Sequence, residues 1–176
     1  MARARRECAR RQSLRRDIVA MGLAILAVGH KLPDWVAAGC AEYVKRMPRE
    51  LPLSVVEIRP EPRGSKTREQ LLAAEKARLH SALQGYARVV VLDERGDDLT
   101  TMKLAQRLES WMQEGGDTAV VIGGADGIDE EIKQASHAMI RLSSMTLPHA
   151  MARLILCEQL YRALSVIRNH PYHREG

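Results

Sequence analysis

The chain has 176 residues, 45% of them hydrophobic and 28% charged, which suits one α/β domain and excludes the disordered and fibrous classes. No apolar run approaches the about 18–20 residues that a membrane helix needs, so we expect no membrane partner. The formal net charge of +5 comes from residues 1–20, which hold seven arginines against Glu7 and Asp17, and the rest of the chain has 20 basic and 20 acidic side chains. The positive net charge is therefore poor evidence for a nucleic-acid partner, and it does not suggest DNA.

The segment 1–20 allows three interpretations: a basic arm for RNA, a targeting peptide, or a wrongly assigned translation start. It lacks the apolar core of a secretory signal, and Met21 opens directly onto an apolar run. We favour the third interpretation and expect an arm that is disordered or dispensable. Residues 21–176 are then a single domain with a C-terminal tail, 169–176.

Alternating strand and helix signals follow along the chain. Short apolar runs predict five strands, at Leu23–Val28, Leu53–Ile58, Arg88–Asp93, Thr118–Ile122 and Ala138–Leu142. Capping and stop residues predict five helices, at about 34–46, 67–83, 100–113, 129–136 and 148–168. A mobile loop is expected at 59–66, and a turn at 94–96 after the third strand. This order predicts an α/β fold with a mostly parallel sheet and helices on both faces.

Three cysteines, Cys8, Cys40 and Cys157, lie far apart without the spacing of a zinc site. They are typical of reduced thiols in a cytoplasmic protein, and no metal is expected. Aromatic residues are scarce, with two Trp, four Tyr and no Phe. That argues against a sheet that stacks RNA bases on exposed rings.

A glycine cluster, Gly123 to Gly127, follows the fourth strand. Glycines at a strand end let a ligand approach bare backbone N–H groups, as nucleotide-like ligands require. The pattern is neither the dinucleotide-binding fingerprint nor a P-loop, so an ordinary tight turn is the alternative.

The segment from Leu142 to His149 passes from a strand into a proline-started helix. Such a loop can hold an adenine ring through its backbone, with Leu and Met as walls. On its own pattern we favour a second interpretation, in which Thr146 simply caps the helix. His149 is expected to stay neutral, because a helix N-terminus disfavours added positive charge.

The last helix is apolar on nearly all sides, which predicts contact with a second subunit. Within it Glu158 and Arg162 are four residues apart and can simply pair. The tail after it is rich in His, Tyr and Arg, and either closes over a site or is a frayed terminus. Two His spaced as in this tail are not enough for a metal site.

Six separate strings, in order, carry a resemblance to a known family: LAILAVGHKLPDWV (23–36), VVLD (90–93), VVIGGADG (120–127), LSSMTLPHAMAR (142–153), EQLYRA (158–163) and NHPYHRE (169–175). They resemble the RlmH family, bacterial methyltransferases of the SPOUT class that act on N3 of a pseudouridine in 23S rRNA. The resemblance runs from Met21 to Glu175.

The resemblance implies a fold, a methyl donor and partners. The fold would carry a SPOUT-type C-terminal trefoil knot. The partners would be a second copy of the chain, in a homodimer, and 23S rRNA within the assembled ribosome. The donor would be S-adenosyl-L-methionine, bound at Leu92, Gly123, Gly124, Leu142, Ser143, Ser144, Met145, Thr146 and Leu147.

The resemblance also implies residues around the acceptor base: Arg162, His173, His170, Tyr172 and Arg174. The N3–H of pseudouridine is a weakly acidic imide, and a fixed cation beside it favours the anion. Arg162 can supply that charge, and His173 can accept or relay the proton when neutral. Asp126 receives no role.

Two other functions stay open on the sequence. One is a different nucleotide-binding α/β enzyme that uses the glycines for phosphates. The other is a non-catalytic ribosome-associated factor that only docks on RNA.

Overall fold

The computed structural model describes residues 21–174, so the predictions made for segment 1–20 lie outside the described residues. Its five strands are β1 (Leu23–Val28), β2 (Leu53–Ile58), β3 (Arg88–Asp98), β4 (Thr118–Ile122) and β5 (Ala138–Arg141). Three of the predicted strands have the predicted bounds. These are β1, β2 and β4.

Five helices alternate with the strands: α1 (Asp34–Arg46), α2 (Arg68–Ala82), α3 (Thr101–Glu114), α4 (Glu130–Ala135) and α5 (His149–Ile167). The predicted capping box at the start of α2 is present, with Thr67 and Gln70 each binding the other's backbone N–H. Thr100 caps α3 through the amide of Lys103. A short 3₁₀ helix, Pro171–Arg174, ends the described chain and was not predicted.

The strands form one parallel sheet in the order β2-β1-β4-β3-β5. On one face α1, α3 and α5 share a core with Leu23, Ile25 and Ala27. On the other, α2 and α4 pack on Ala24 and Leu26. Alternate residues of β1 thus enter opposite cores, as a sheet covered on both faces requires. The predicted fold class is confirmed, and the trefoil knot stays a prediction.

The prediction for the third strand was wrong at its end. The turn expected at 94–96 is absent, because β3 continues through these residues with a register shift between Leu92 and Asp97, and Asp97 and Asp98 lie beside Ile140 and Arg141 of β5. Here β3 approaches the β5 backbone at very short range: a Cβ on Gly96 would lie 2.5 Å from the carbonyl carbon of Ile140. Only glycine fits such an approach, so Gly96 marks a tertiary contact and not a turn.

Helix α5 uses much of its apolar surface inside its own subunit. It packs between α1 and α3 and buries Leu156, Cys157, Leu160 and Leu164. Leu154 is partly buried against Gly39 of α1, and Ile155 is partly buried as well. The contact of this helix with a second subunit stays a prediction. No helix among residues 21–174 is both long and apolar enough to cross a membrane.

Candidate active site at the carboxyl edge of the sheet

The three segments assigned to the methyl donor lie on three neighbouring strands, one within β3 and the others directly after β4 and β5. Leu92 pairs with Ile122 of β4 on one side and with Ile140 of β5 on the other. Gly123 directly follows β4, and Leu142 directly follows β5. Because parallel strands end at the same edge of a sheet, these positions form one continuous edge, where α/β folds bind ligands.

The glycine cluster forms a tight, internally bonded turn. The amide of Gly127 donates to the Gly124 carbonyl at 3.1 Å, and Gly127 has a φ of +90°. A Cβ on Gly123 would come within 2.7 Å of the Gly127 carbonyl oxygen and 2.6 Å of Ile128. The turn therefore needs glycine at Gly123 for its own geometry, whatever ligand it also binds.

The loop from Leu142 to Leu147 is open to solvent at its centre. Ser144, Met145 and Thr146 are exposed, and Met145 is 75% exposed, the largest value among the exposed large apolar side chains of residues 21–174. The amide of Met145 donates to the Ser143 hydroxyl at 2.9 Å. The favoured interpretation of Thr146 as a helix cap was wrong, because α5 is capped at Pro148 with no side-chain hydrogen bond. The loop thus offers an apolar wall and exposed side chains to a ligand.

His149 joins this loop to the glycine turn. Its Nε2–H donates to the carbonyl oxygen of Gly123, which places the second ring nitrogen on the side of Gly29. Burial, opposed in part by this hydrogen bond, lowers the pKa of His149 below its ordinary 6.5. The predicted neutral imidazole is thereby supported, although burial and not the helix terminus is the main cause.

Arg162 lies in a cluster at the other end of α5. Its Nε donates to Glu158 Oε1 at 2.7 Å, and its guanidinium lies 4.8 Å from the ring centroid of Tyr172. The Tyr172 hydroxyl donates to the same carboxylate at 3.1 Å and lies 3.2 Å from the Tyr43 hydroxyl. The hydrogen bond that Arg162 donates to Glu158 raises the pKa of Arg162 above its ordinary value, and burial raises the pKa of Tyr172. The expected Glu158–Arg162 pair is present, and it also anchors the tail.

The tail residues assigned to the acceptor follow this anchor. His173 is half-buried and its Nδ1 is buried without a hydrogen-bond partner. His170 and Arg174 are exposed, and Arg174 donates to the side chain of Asn169 at 3.1 Å. The two exposed side chains can contact a ligand directly, whereas the Nδ1 of His173 is covered in this chain.

The structure does not bring the donor and acceptor groups together within one subunit. His149 and Arg162 are thirteen residues apart on α5, or about 20 Å along the helix axis. Arg162 and the tail therefore lie far from the donor loops of their own chain. No cluster of three or more metal-ligating side chains is found among residues 21–174.

One feature of the edge was missed from the sequence, a cavity of about 650 Å³. It lies between the loops that follow β1 and β2 and the glycine turn. Asp126 lines it and is bound by Arg63 at 2.9 Å. The only sequence feature that could have indicated the cavity is the Pro and Gly content of the loops after β1 and β2. That composition predicts loops but not a cavity between them.

Comparisons with known proteins agree with this geometry. A family model described as "Predicted SPOUT methyltransferase" matches residues 21–173. A probable methyltransferase from Bordetella pertussis has a similar structure, with a TM-score of 0.54, 16% identity, and coverage of 83% of this chain and 96% of that one. A probable methylase family protein from Haemophilus influenzae has a TM-score of 0.52 and 15% identity, over 88% of this chain and 70% of that one. At such identities the structures show the fold alone.

The sequence relatives are much closer. Ribosomal RNA large subunit methyltransferase H of Dechloromonas aromatica is 71% identical over 156 residues, which is 89% of this chain and all of the relative. The protein of that name from Burkholderia ambifaria strain MC40-6 is 57% identical over 88% of this chain and 99% of its own length. The chain therefore belongs to the SPOUT methyltransferases and, within them, to the RlmH family.

Proposed function

We propose that the protein is a methyltransferase that transfers a methyl group from S-adenosyl-L-methionine to N3 of a pseudouridine in 23S rRNA of the assembled ribosome. The observation that carries the proposal is that Leu92, where β3 stops pairing with β4, lies beside the strand ends that lead into the glycine turn and the loop 142–147. The protein would then act in the cytoplasm, where ribosomes are found.

The donor fits the residues at this edge. The glycine turn presents backbone without side chains, and Met145 presents a flexible apolar wall for an adenine ring. The residues that hold the donor are Leu92, Gly123, Gly124, Leu142, Ser143, Ser144, Met145, Thr146 and Leu147. S-Adenosylmethionine supplies a methyl group already activated on a sulfonium, so the protein needs no nucleophile of its own. The chain's part is to hold two substrates in line.

Arg162 and His173 act on the acceptor. The Arg162 guanidinium stabilises the negative charge that develops as N3 loses its proton. His173 accepts that proton through its imidazole, whose buried Nδ1 makes no hydrogen bond within the described chain. Tyr172, His170 and Arg174 contact the RNA around the base.

The working site is built from two subunits in this proposal. About 20 Å of α5 separates Arg162 from the donor loops of its own chain, so a partner's tail must complete the site. Exposed large apolar side chains lie at the same end of the same face: Trp35 in α1, Met102 in α3 and Met145 before α5. Such a patch is typical of a contact with another protein surface, and a second copy fits the proposal.

Calorimetric titration tests the donor assignment. S-Adenosylhomocysteine is expected to bind, and ATP and NAD are expected not to compete. Preference for ATP or NAD would instead favour the other nucleotide-binding enzyme considered above.

Methyl incorporation tests the activity. Ribosomes that lack the modification are expected to take up labelled methyl only when protein and donor are both present. Binding to ribosomes that is independent of the donor, with no incorporation, would favour the non-catalytic factor.

A further inference from the structure

The cavity lies at the point where the sheet changes its winding direction. Strands β1 and β4 are neighbours, yet α1 after β1 covers one face and α4 after β4 covers the other. The connections diverge and leave a crevice between the two strand ends. Open α/β sheets bind ligands in that crevice. The cavity of about 650 Å³ fills it, and this volume is in the range of small-ligand pockets.

The cavity and the donor loops occupy different halves of one edge. The donor segments lie within β3 and directly after β4 and β5, whereas most of the cavity lining comes from the chain after β2, β1 and β4. Among the residues assigned to the donor, only Gly124 borders the cavity. The glycine turn is therefore a wall common to both halves. A reaction that transfers a group between two substrates needs two adjoining binding sites of this kind.

The cavity walls are largely apolar. Leu32 and Pro33 come from the loop after β1, and Pro60 and Pro62 come from the loop after β2. Rigid proline rings offer flat apolar surfaces that cost little entropy to present. Walls of this kind suit a planar base withdrawn from its stack.

Polar groups lie among these walls, and two are buried. Glu75 is 7% exposed, and its Oε1 accepts from the amide of Glu61 at 3.0 Å. Its Oε2 lies on the side of Gly124, 3.1 Å from the position of a Cβ there. Arg153 is 1% exposed, with one carboxylate partner, Glu57, at 3.3 Å and no partner for its Nε. Buried polar atoms with unused bonding capacity next to a cavity indicate a ligand that hydrogen-bonds there.

Three basic side chains lie at the rim of the cavity, and two of them have a carboxylate partner, Lys31 with Asp34 at 3.9 Å and Arg63 with Asp126 at 2.9 Å. Lys31 and Arg63 have side chains that are 87% and 65% exposed. Arg59 is exposed, and its guanidinium forms no ion pair within the part of the chain that the structure describes. Glu61 lies in the same loop as Arg59 and Arg63, and its carboxylate is bound by Lys66 and Arg78. Cations at the mouth of an apolar pocket suit the phosphates on either side of an inserted base.

We infer that this cavity is the acceptor site, which takes one pyrimidine nucleotide of the RNA, with its flanking phosphates on Lys31, Arg59 and Arg63. The inference rests on the proposed function and adds to it the place of the acceptor. The partner's Arg162 and His173 would reach the base from the mouth of the cavity.

Two substitutions test the site without touching the donor loops. Arg59→Glu reverses a rim charge, and Arg49→Glu is its matched control. Arg49 is an exposed arginine before β2, so it lies at the opposite edge of the sheet. His30→Trp fills the cavity from an exposed lining position, and His80→Trp on the exposed side of α2 is its control.

Methyl transfer to unmodified ribosomes and the affinity for S-adenosylhomocysteine are measured for all four variants and the unchanged protein. Arg59→Glu and His30→Trp are expected to lower kcat/KM at least tenfold, with donor affinity within twofold. Both controls are expected to stay within twofold in both measurements. Saturation-transfer NMR with uridine 5′-monophosphate, at saturating S-adenosylhomocysteine, is expected to show binding that His30→Trp abolishes.

Three results would contradict these expectations. Full transfer by both cavity variants in an active protein would overturn the acceptor assignment alone. Loss of donor affinity in His30→Trp but not in His80→Trp would place the donor in the cavity and also overturn it. No transfer by the unchanged protein would overturn the proposed function, and the acceptor assignment with it.

Discussion

Arg162→Ala separates a catalytic role from a structural one. The change removes a pair in which the Arg162 and Glu158 side chains are only 24% and 18% exposed, and it removes the contact of the guanidinium with the Tyr172 ring. A partly exposed pair contributes up to about 1 kcal/mol, and a cation–π contact about 0.5–1 kcal/mol. We therefore expect the free energy of unfolding to fall by about 1–2 kcal/mol.

That loss leaves nearly all molecules folded, because domains are stable by about 5–15 kcal/mol. A fall in methyl transfer of about 100-fold or more, equal to about 2.7 kcal/mol of transition-state stabilisation, would then be an effect on the reaction. Urea denaturation, calorimetry with S-adenosylhomocysteine and turnover on ribosomes measure the three quantities. Donor affinity is expected to stay unchanged.

Arg46→Ala is the matched control. Arg46 pairs with Glu42 at 3.0 Å, also four residues apart, and lies over the Tyr43 ring at 5.6 Å. Its loss is expected to leave turnover within twofold and to reduce stability less, since this pair is more exposed. If Arg162→Ala loses stability but keeps full turnover, the cluster only anchors the tail and the catalytic assignment is wrong.

Three further predictions concern stability and reactivity. Because burial lowers the pKa of His149 below 6.5, the folded chain binds fewer protons than the unfolded chain, and stability falls as the pH drops below that value. Through this group the free energy of unfolding changes by at most about 1.4 kcal/mol per pH unit. Urea denaturation of His149→Gln at several pH values should lack this change. A difference in stability between the two proteins that does not vary with pH would contradict the prediction. Gly96→Ala is expected to lower the free energy of unfolding by about 1–3 kcal/mol through its clash with β5, so unchanged urea denaturation would show that the approach is relaxed. Burial raises the pKa of Cys40 and of Cys157, so mass spectrometry should find both unlabelled by iodoacetamide in the folded protein and labelled in urea; rapid labelling without urea would contradict their burial.

The sequence predicts best those features that depend on neighbouring residues. Strand β1 is closed by Gly22 and Gly29 around six apolar residues, and the Thr67 capping box is a local exchange of hydrogen bonds, so both are readable in the chain. The end of β3 is not, because Gly96 belongs to a turn by its type and to a strand by its contact with Ile140. That contact depends on the strand order, which no local pattern specifies.

The same distinction between local and tertiary features applies to the candidate site. From the sequence, the donor segments are separate motifs that resemble those of a family. Only the sheet register shows that they are neighbours, because Leu92 of β3 pairs with Ile122, the residue before Gly123. The cavity was missed because Glu75 and Arg153, its buried polar groups, come from α2 and α5, distant in the sequence. In the sequence Arg153 is an arginine among apolar residues, a pattern found in many helices. Its burial beside a cavity depends on how the helices pack, which the local sequence does not reveal.

The most direct test of the account identifies the methylated nucleoside. Ribosomes without the modification are treated with the protein and S-adenosylmethionine, and their 23S rRNA is digested to nucleosides for mass spectrometry. The account predicts one new nucleoside, a pseudouridine with a methyl group on N3, formed only when protein and donor are both present. A methyl group on any other nucleoside, or on protein alone, would contradict it.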